Sequence, residues 1–181
     1  MLAMVGNGTR IYTSNMGDNS VAELDVAAGT RTRTFAVPPR PEAITVTRSG
    51  DEVWVGSNDS GFVSVVDTRS GNSQKALTGF GWPYRILIAP DNVLVLLPDL
   101  RNEELRFVDR ASRRELGRMA FTGAAPQGIT FAGDGVALLS LSGEDRIAVI
   151  EVRSRTVIRH IAAGDGPDGI VFSPIVVRES M

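Results

Sequence analysis

The chain contains no cysteine, which excludes disulfides, iron–sulfur clusters, thiolate zinc sites and covalently attached haem. It has one histidine, His160, and one lysine, Lys75, so every other basic residue is arginine. The arginine excess reads as codon-usage bias rather than as a nucleic-acid or membrane footprint, because acids alternate with the arginines and the formal net charge is −2. No apolar run approaches the length that spans a bilayer. The start, Met1-Leu2-Ala3-Met4-Val5-Gly6, lacks a basic segment followed by a long apolar one. As written, the chain is expected to be neither exported nor anchored; a missing N-terminus would look the same, and the compartment stays open.

What is present is a repeat. Phe62-Val63-Ser64-Val65-Val66-Asp67 is a β-branched run that stops at an acid, with Gly71 four residues on. The same register holds Val21-Ala22-Glu23-Leu24-Asp25 with Gly29, Leu105-Arg106-Phe107-Val108-Asp109, and Ile147-Ala148-Val149-Ile150-Glu151. Tyr12, Trp54, Leu96 and Leu138 stand 42 residues apart, as do Asp25, Asp67, Asp109 and Glu151. Pro41, Pro83, Pro126 and Pro167 follow at 42, 43 and 41, so length changes fall in loops.

Each unit carries four short apolar runs. First runs follow the proline: Ala43 to Thr47, Arg85 to Ala89, Gln127 to Ala132 and Asp168 to Ser173. Second runs are Arg10 to Ser14, Glu52 to Gly56, Val93 to Leu97 and Val136 to Ser140. The acid-terminated runs are third, and Thr30 to Val37, Ser73 to Thr78, Glu115 to Phe121 and Thr156 to Ala162 are fourth. Four strands of about five residues per unit of about 40 to 45 is the signature of a propeller blade. The third run is apolar on both faces, as a strand sandwiched between blades must be. The reading is therefore an all-β, partial β-propeller in one domain, with blades over 1–38, 39–80, 81–123 and 124–163 and an extra first strand over 168–173.

Two points strain this reading. Asn102 through Leu116 has a capping residue, early acids and later arginines, which alone suggests a helix; its register with the other third strands favours a strand. In the turn after that strand, Arg113 and Arg155 replace the glycine, so those turns are either strained or differently shaped.

The units resemble YVTN-repeat β-propellers, a group within the quinoprotein amine dehydrogenase β-chain-like propellers. The resemblance rests on Ile11-Tyr12-Thr13-Ser14-Asn15, Val53-Trp54-Val55-Gly56-Ser57-Asn58 with Val63 to Asp67, and Gly164-Asp165-Gly166-Pro167-Asp168-Gly169-Ile170. It covers nearly the whole chain and implies the propeller fold; related propellers are often exported to the periplasm. Such propellers usually close with about seven blades. Four units and a spare strand leave an open arc, a ring shared by two chains as a homodimer, or a four-bladed ring closed by Asp168 to Ser173. Pro174 to Met181 departs from the pattern.

In a propeller the first strand lines the channel, and the loop entering it lies on the face where ligands bind. Glu42, Tyr84, Gln127 and Asp168 follow the four prolines there, and Arg40, Trp82 and Arg85 lie beside them. These seven are the candidate ligand-binding residues; the plainer reading has Trp82 and Tyr84 packing the loop and the rest solvated. No metal, cofactor or catalytic set is assigned. His160 falls on the outermost strand, away from the channel, which leaves no Ser-His-Asp set there. The leading expectation is a non-catalytic binding or scaffold module that takes a small ligand or a protein on the loop face, or that is part of a longer YVTN-repeat protein. Its rival is a metal-dependent lactonase-like hydrolase with Glu42 and Asp168, aided by Asn15 or Asn58, as oxygen ligands.

Overall fold

Alternating apolar residues between turn residues produce sixteen strands in the computed structural model, which describes residues 1–133 and 135–175. The first sheet holds β1 (Leu2–Met4), β2 (Arg10–Asn15), β3 (Ser20–Asp25) and β4 (Thr30–Ala36). The second holds β5 (Pro41–Val46), β6 (Glu52–Ser57), β7 (Phe62–Asp67) and β8 (Ser73–Leu77). In the third are β9 (Leu87–Ile88), β10 (Leu94–Asp99), β11 (Glu104–Asp109) and β12 (Glu115–Ala120), and in the fourth β13 (Pro126–Phe131), β14 (Val136–Leu141), β15 (Arg146–Glu151) and β16 (Thr156–Ala162). Each sheet is an antiparallel meander in chain order, the form of a propeller blade. Among the described residues the only helix is the 3₁₀ turn Ser142–Glu144, and no helix is long and apolar enough to cross a membrane. The stretch from Asn102 is strand, because Leu105 and Phe107 are buried on one side of β11 while Arg106 and Val108 are buried on the other.

The prolines sit where a strand edge tolerates them. Pro41, Pro83 and Pro126 lie opposite Ser57, Asp99 and Leu141, the last residues of the second strands, and the first strands rejoin the ladder at Ile44, Leu87 and Ile129. A proline has no N–H to give to a ladder, and these edge positions ask for none. In the third blade this detour leaves a ladder of two residues rather than the expected Arg85 to Ala89.

The turn after each third strand is closed by its acid. Backbone N–H groups of Ala28, Ser70 and Ser112 donate to Asp25, Asp67 and Asp109 at 2.8, 2.7 and 2.8 Å. The residue that follows is left-handed in all four blades: φ is 63° at Gly29, 81° at Gly71, 60° at Arg113 and 55° at Arg155. The arginine turns thus keep the glycine geometry and bear its strain.

Three apolar clusters join consecutive blades. Tyr12, Val21 and Phe35 of the first meet Ile44, Val53, Val55 and Val66 of the second. Trp54, Val63, Val65 and Leu77 meet Ile86, Val95, Leu97 and Val108. Leu96, Leu105 and Phe107 meet Ile129, Ala137, Leu139 and Ile150. Trp54, Tyr12 and Phe107 are the largest fully buried side chains, and an aromatic residue buried this way removes enough area to contribute about 4–6 kcal/mol of transfer free energy. Tyr12 keeps its hydroxyl satisfied by donating to Glu23 Oε2 at 2.6 Å.

Among the described residues no cluster joins the first blade to the fourth, and the four blades form an open arc. Residues 168–173, expected as a further first strand, form no strand. A first strand is held by the second strand of its own blade, and none follows here among the described residues; the first blade has its own β1. Residues 176–181 of the divergent tail lie outside the described residues.

Candidate ligand site at the channel mouth

The first strands lie side by side along the inner edge of the arc, with β5 against both β1 and β9. The loops entering them bring six of the seven candidate residues into two touching groups. In one, Glu42 Oε2 accepts from the Asn58 side-chain amide and from the Trp82 indole N–H, the latter at 3.3 Å. In the other, Asp168 accepts from the Tyr84 hydroxyl at 3.1 Å and from Arg85 at 3.3 Å. The Trp82 and Tyr84 rings link the groups, with centroids 6.0 Å apart and planes tilted by 56°. The Arg85 guanidinium lies 4.2 Å from the centre of the Tyr84 ring. Burial raises the Tyr84 hydroxyl above its ordinary pKa, and the Asp168 charge adds to the effect.

Arg40 belongs to the first group through Asn58, whose N–H donates to the Arg40 carbonyl at 3.1 Å, and its own guanidinium pairs with Asp59 at 3.2 Å. Its φ of 54° places it in the left-handed region. Gln127 lies half-buried on β13, and among the described residues no hydrogen bond draws its side chain into either group.

Three contributors carried little signal in the sequence. Asp99 is fully buried and holds the Trp82 loop by accepting from the N–H groups of Gly81 at 2.9 Å and Trp82 at 2.8 Å; its sign was an acid where the equivalent residues are Asn15, Ser57 and Leu141. Arg101 and Asp59 complete a cleft of about 260 Å³ with Arg40, Asn58 and Trp82. Arg101 stands 5.8 Å from the Trp82 ring centre. Asn58 lines this cleft, but its Oδ1 is turned into the protein, buried and accepting no hydrogen bond among the described residues.

Asp168 reaches the mouth because its segment crosses β13 at Gly128. A Cβ on Gly128 would overlap the Asp168 carbonyl oxygen. Ser142 Oγ fixes the same segment by donating to the Pro167 carbonyl at 2.7 Å.

Of the oxygen ligands weighed for a lactonase, Asn58 is hydrogen-bonded to Glu42, whereas Asp168 belongs to the neighbouring group and Asn15 is turned to Ser20. Among the described residues no three His, Asp or Glu side chains cluster. His160 is exposed on β16, the outermost strand.

This architecture is a β-propeller arc of four blades with its loops gathered at the inner edge. No family model matches the chain, and no curated protein does. Among solved structures, the chain is similar to hydrazine synthase of Kuenenia stuttgartiensis, with 24% identity and a TM-score of 0.79. The match covers 88% of this chain but 47% of the other, so the chain spans about half the length of the structure it matches. The likeness establishes the propeller fold.

Proposed function

We propose that the chain is a non-catalytic β-propeller module of the YVTN-repeat kind that binds a small carboxylate-bearing ligand at the Trp82 cleft. The observation that carries this reading is the cleft that brings the Trp82 ring and the Arg101 guanidinium together, 5.8 Å from ring centre to guanidinium. Arg101 makes no ion pair among the described residues, so its guanidinium is available for a carboxylate, and the Trp82 ring offers an apolar wall. The YVTN assignment is supported by the motifs of the second and third strands and by the Gly-rich approach to Pro167. The two acids of the mouth serve as hydrogen-bond acceptors that position Trp82, Tyr84 and Arg85, a structural use that fits binding better than acid–base chemistry.

The chain has two tryptophans, and Trp54 is fully buried between blades. Two indole N–H signals in a ¹⁵N-labelled sample therefore report the cleft and an internal reference. Titration with small amide carboxylates, starting with N-acetylglycine, is expected to move the Trp82 signal and leave that of Trp54 in place, and Arg101→Ala is expected to abolish the response. A Trp82 signal that stays fixed across the series counts against this site.

A further inference from the structure

The two ends of the arc carry the residues that its inner blades use to pack on one another. On the leading face of the fourth blade, Leu138, Ile147 and Ile161 stand at the register of Tyr12, Val21 and Phe35, and of Trp54, Val63 and Leu77. Phe35 and Leu77 are 3% and 6% exposed, whereas Ile161 is 38% exposed. On the trailing face of the first blade, Leu2 stands at the register of Ile44, Ile86 and Ile129. Those isoleucines are 8%, 6% and 9% exposed, and Leu2 is 65% exposed. Val26 follows the same pattern: it is 45% exposed, while its counterparts Thr68 and Val152 are 5% and 8% exposed.

A repeat protein that ends in water carries a polar outer face on its terminal repeats. Here both terminal faces keep the side chains of an inter-blade joint, one leading and one trailing. These faces are complementary to each other in the way that each inner blade is to the next. Arg159 adds a polar counterpart: it shares the register of Arg33, whose guanidinium donates to the Thr68 carbonyl of the following blade. At a continued joint Arg159 would meet the equivalent carbonyl, that of Val26.

We propose that two copies of the chain associate head to tail, the fourth blade of each packing on the first blade of the other, to close one ring. The joint is heterologous, and such joints either close or grow without limit. Propellers close with about four to eight blades; four blades per chain reach that limit with two copies and exceed it with three. The ring encloses one channel, with the Trp82 mouth of each copy opening onto its rim.

Light scattering across a concentration series tests this on the intact chain, and two single-face variants give the joint its direction. Leu2→Glu blocks the trailing face and Ile161→Lys the leading face; both residues are exposed, and circular dichroism verifies that each variant keeps its strands. The expected result is a dimer for the unmodified chain, at least a tenfold weaker dimer for each variant alone, and recovery when the two variants are mixed, since one joint is then unaltered and the other pairs Glu with Lys. A monomer at all concentrations overturns the proposal, as do aggregates of indefinite size. Loss of the dimer in only one of the variants overturns it too, because that is the mark of a joint between two like faces.

Discussion

Gly128→Ala tests how the Asp168 segment is held at the channel mouth. The added methyl would fall inside the Asp168 carbonyl oxygen, where ordinary C···O contact needs about 3.3 Å, so the segment has to retreat by more than about an ångström. That displacement breaks the bonds donated to it by Ser142 Oγ at 2.7 Å, Tyr84 at 3.1 Å and Arg85 at 3.3 Å. At about 1 kcal/mol for each bond, discounted because the Asp168 side chain is 44% exposed, the expected loss is about 2 kcal/mol. The control is Gly169→Ala, where an added Cβ meets nothing within 4 Å and stability should stay within about 0.5 kcal/mol of the parent. Urea denaturation measures both. Tyrosine absorbance gives a second readout, since the chain has two tyrosines and burial, with Glu23 beside it, holds the Tyr12 hydroxyl far above the ordinary range. Tyr84 therefore titrates first. Without Asp168 its pKa falls toward the ordinary value in Gly128→Ala. Parent-like stability together with a parent-like Tyr84 titration would refute the placement of this segment.

Two further predictions concern the joints on either side of the third blade. Arg113 pairs with Glu52 and lies 4.6 Å from the Trp54 ring centre, whereas Arg155 only stacks on Phe107 at 5.5 Å. Replacement by glycine relieves left-handed strain of about 1–2 kcal/mol at either site, less about 0.4–1 kcal/mol for the looser unfolded chain. Arg113→Gly also forfeits a charged hydrogen bond and the stacking, about 2–4 kcal/mol together. It should therefore destabilise by about 1–3 kcal/mol, while Arg155→Gly, whose relief of strain is offset by the lost stacking on Phe107, stays within about 1 kcal/mol of the parent; equal denaturation midpoints for the two variants would remove the ion pair from the account. Burial alone would raise the Glu52 pKa, but hydrogen bonds from Arg113 and Arg110 outweigh it and hold the carboxyl below its ordinary 4.5. A depressed folded pKa stabilises above the unfolded value and ceases to do so as pH falls through the folded one. The stability gap between the parent and Glu52→Gln should accordingly be full at neutral pH and shrink below about pH 4.5; a gap that widens on acidification contradicts the ion pair.

The blade was legible because its causes are local. Strand residues at a period of 42, acids at Asp25, Asp67 and Asp109 that cap their own turns, and prolines at strand edges all act within one unit. The candidate mouth was legible as a set of positions, since equivalent loops in a repeat must gather at one end. Which of those side chains touch was not. Asp168 meets Tyr84 across 84 residues of chain, through a crossing permitted only because Gly128 has no side chain. Asp99, Arg101 and Asp59 had no equivalents in the other units to mark them. The turns at Arg113 and Arg155 kept the glycine geometry, and the contacts of Arg113 with Glu52 and Trp54 in another blade left no mark in the sequence.

The strand expected over residues 168–173 marks the boundary between the two kinds of information. Its residues match the first-strand pattern, yet a strand forms only where a neighbour supplies the other half of its hydrogen bonds, and among the described residues none is available. Local chemistry written in the sequence determined the repeat, its turns and its four blades. Tertiary structure decided the open arc, the pairing of residues at the mouth and the apolar side chains exposed at both ends among the described residues, because each depends on which surfaces meet rather than on what any one segment prefers.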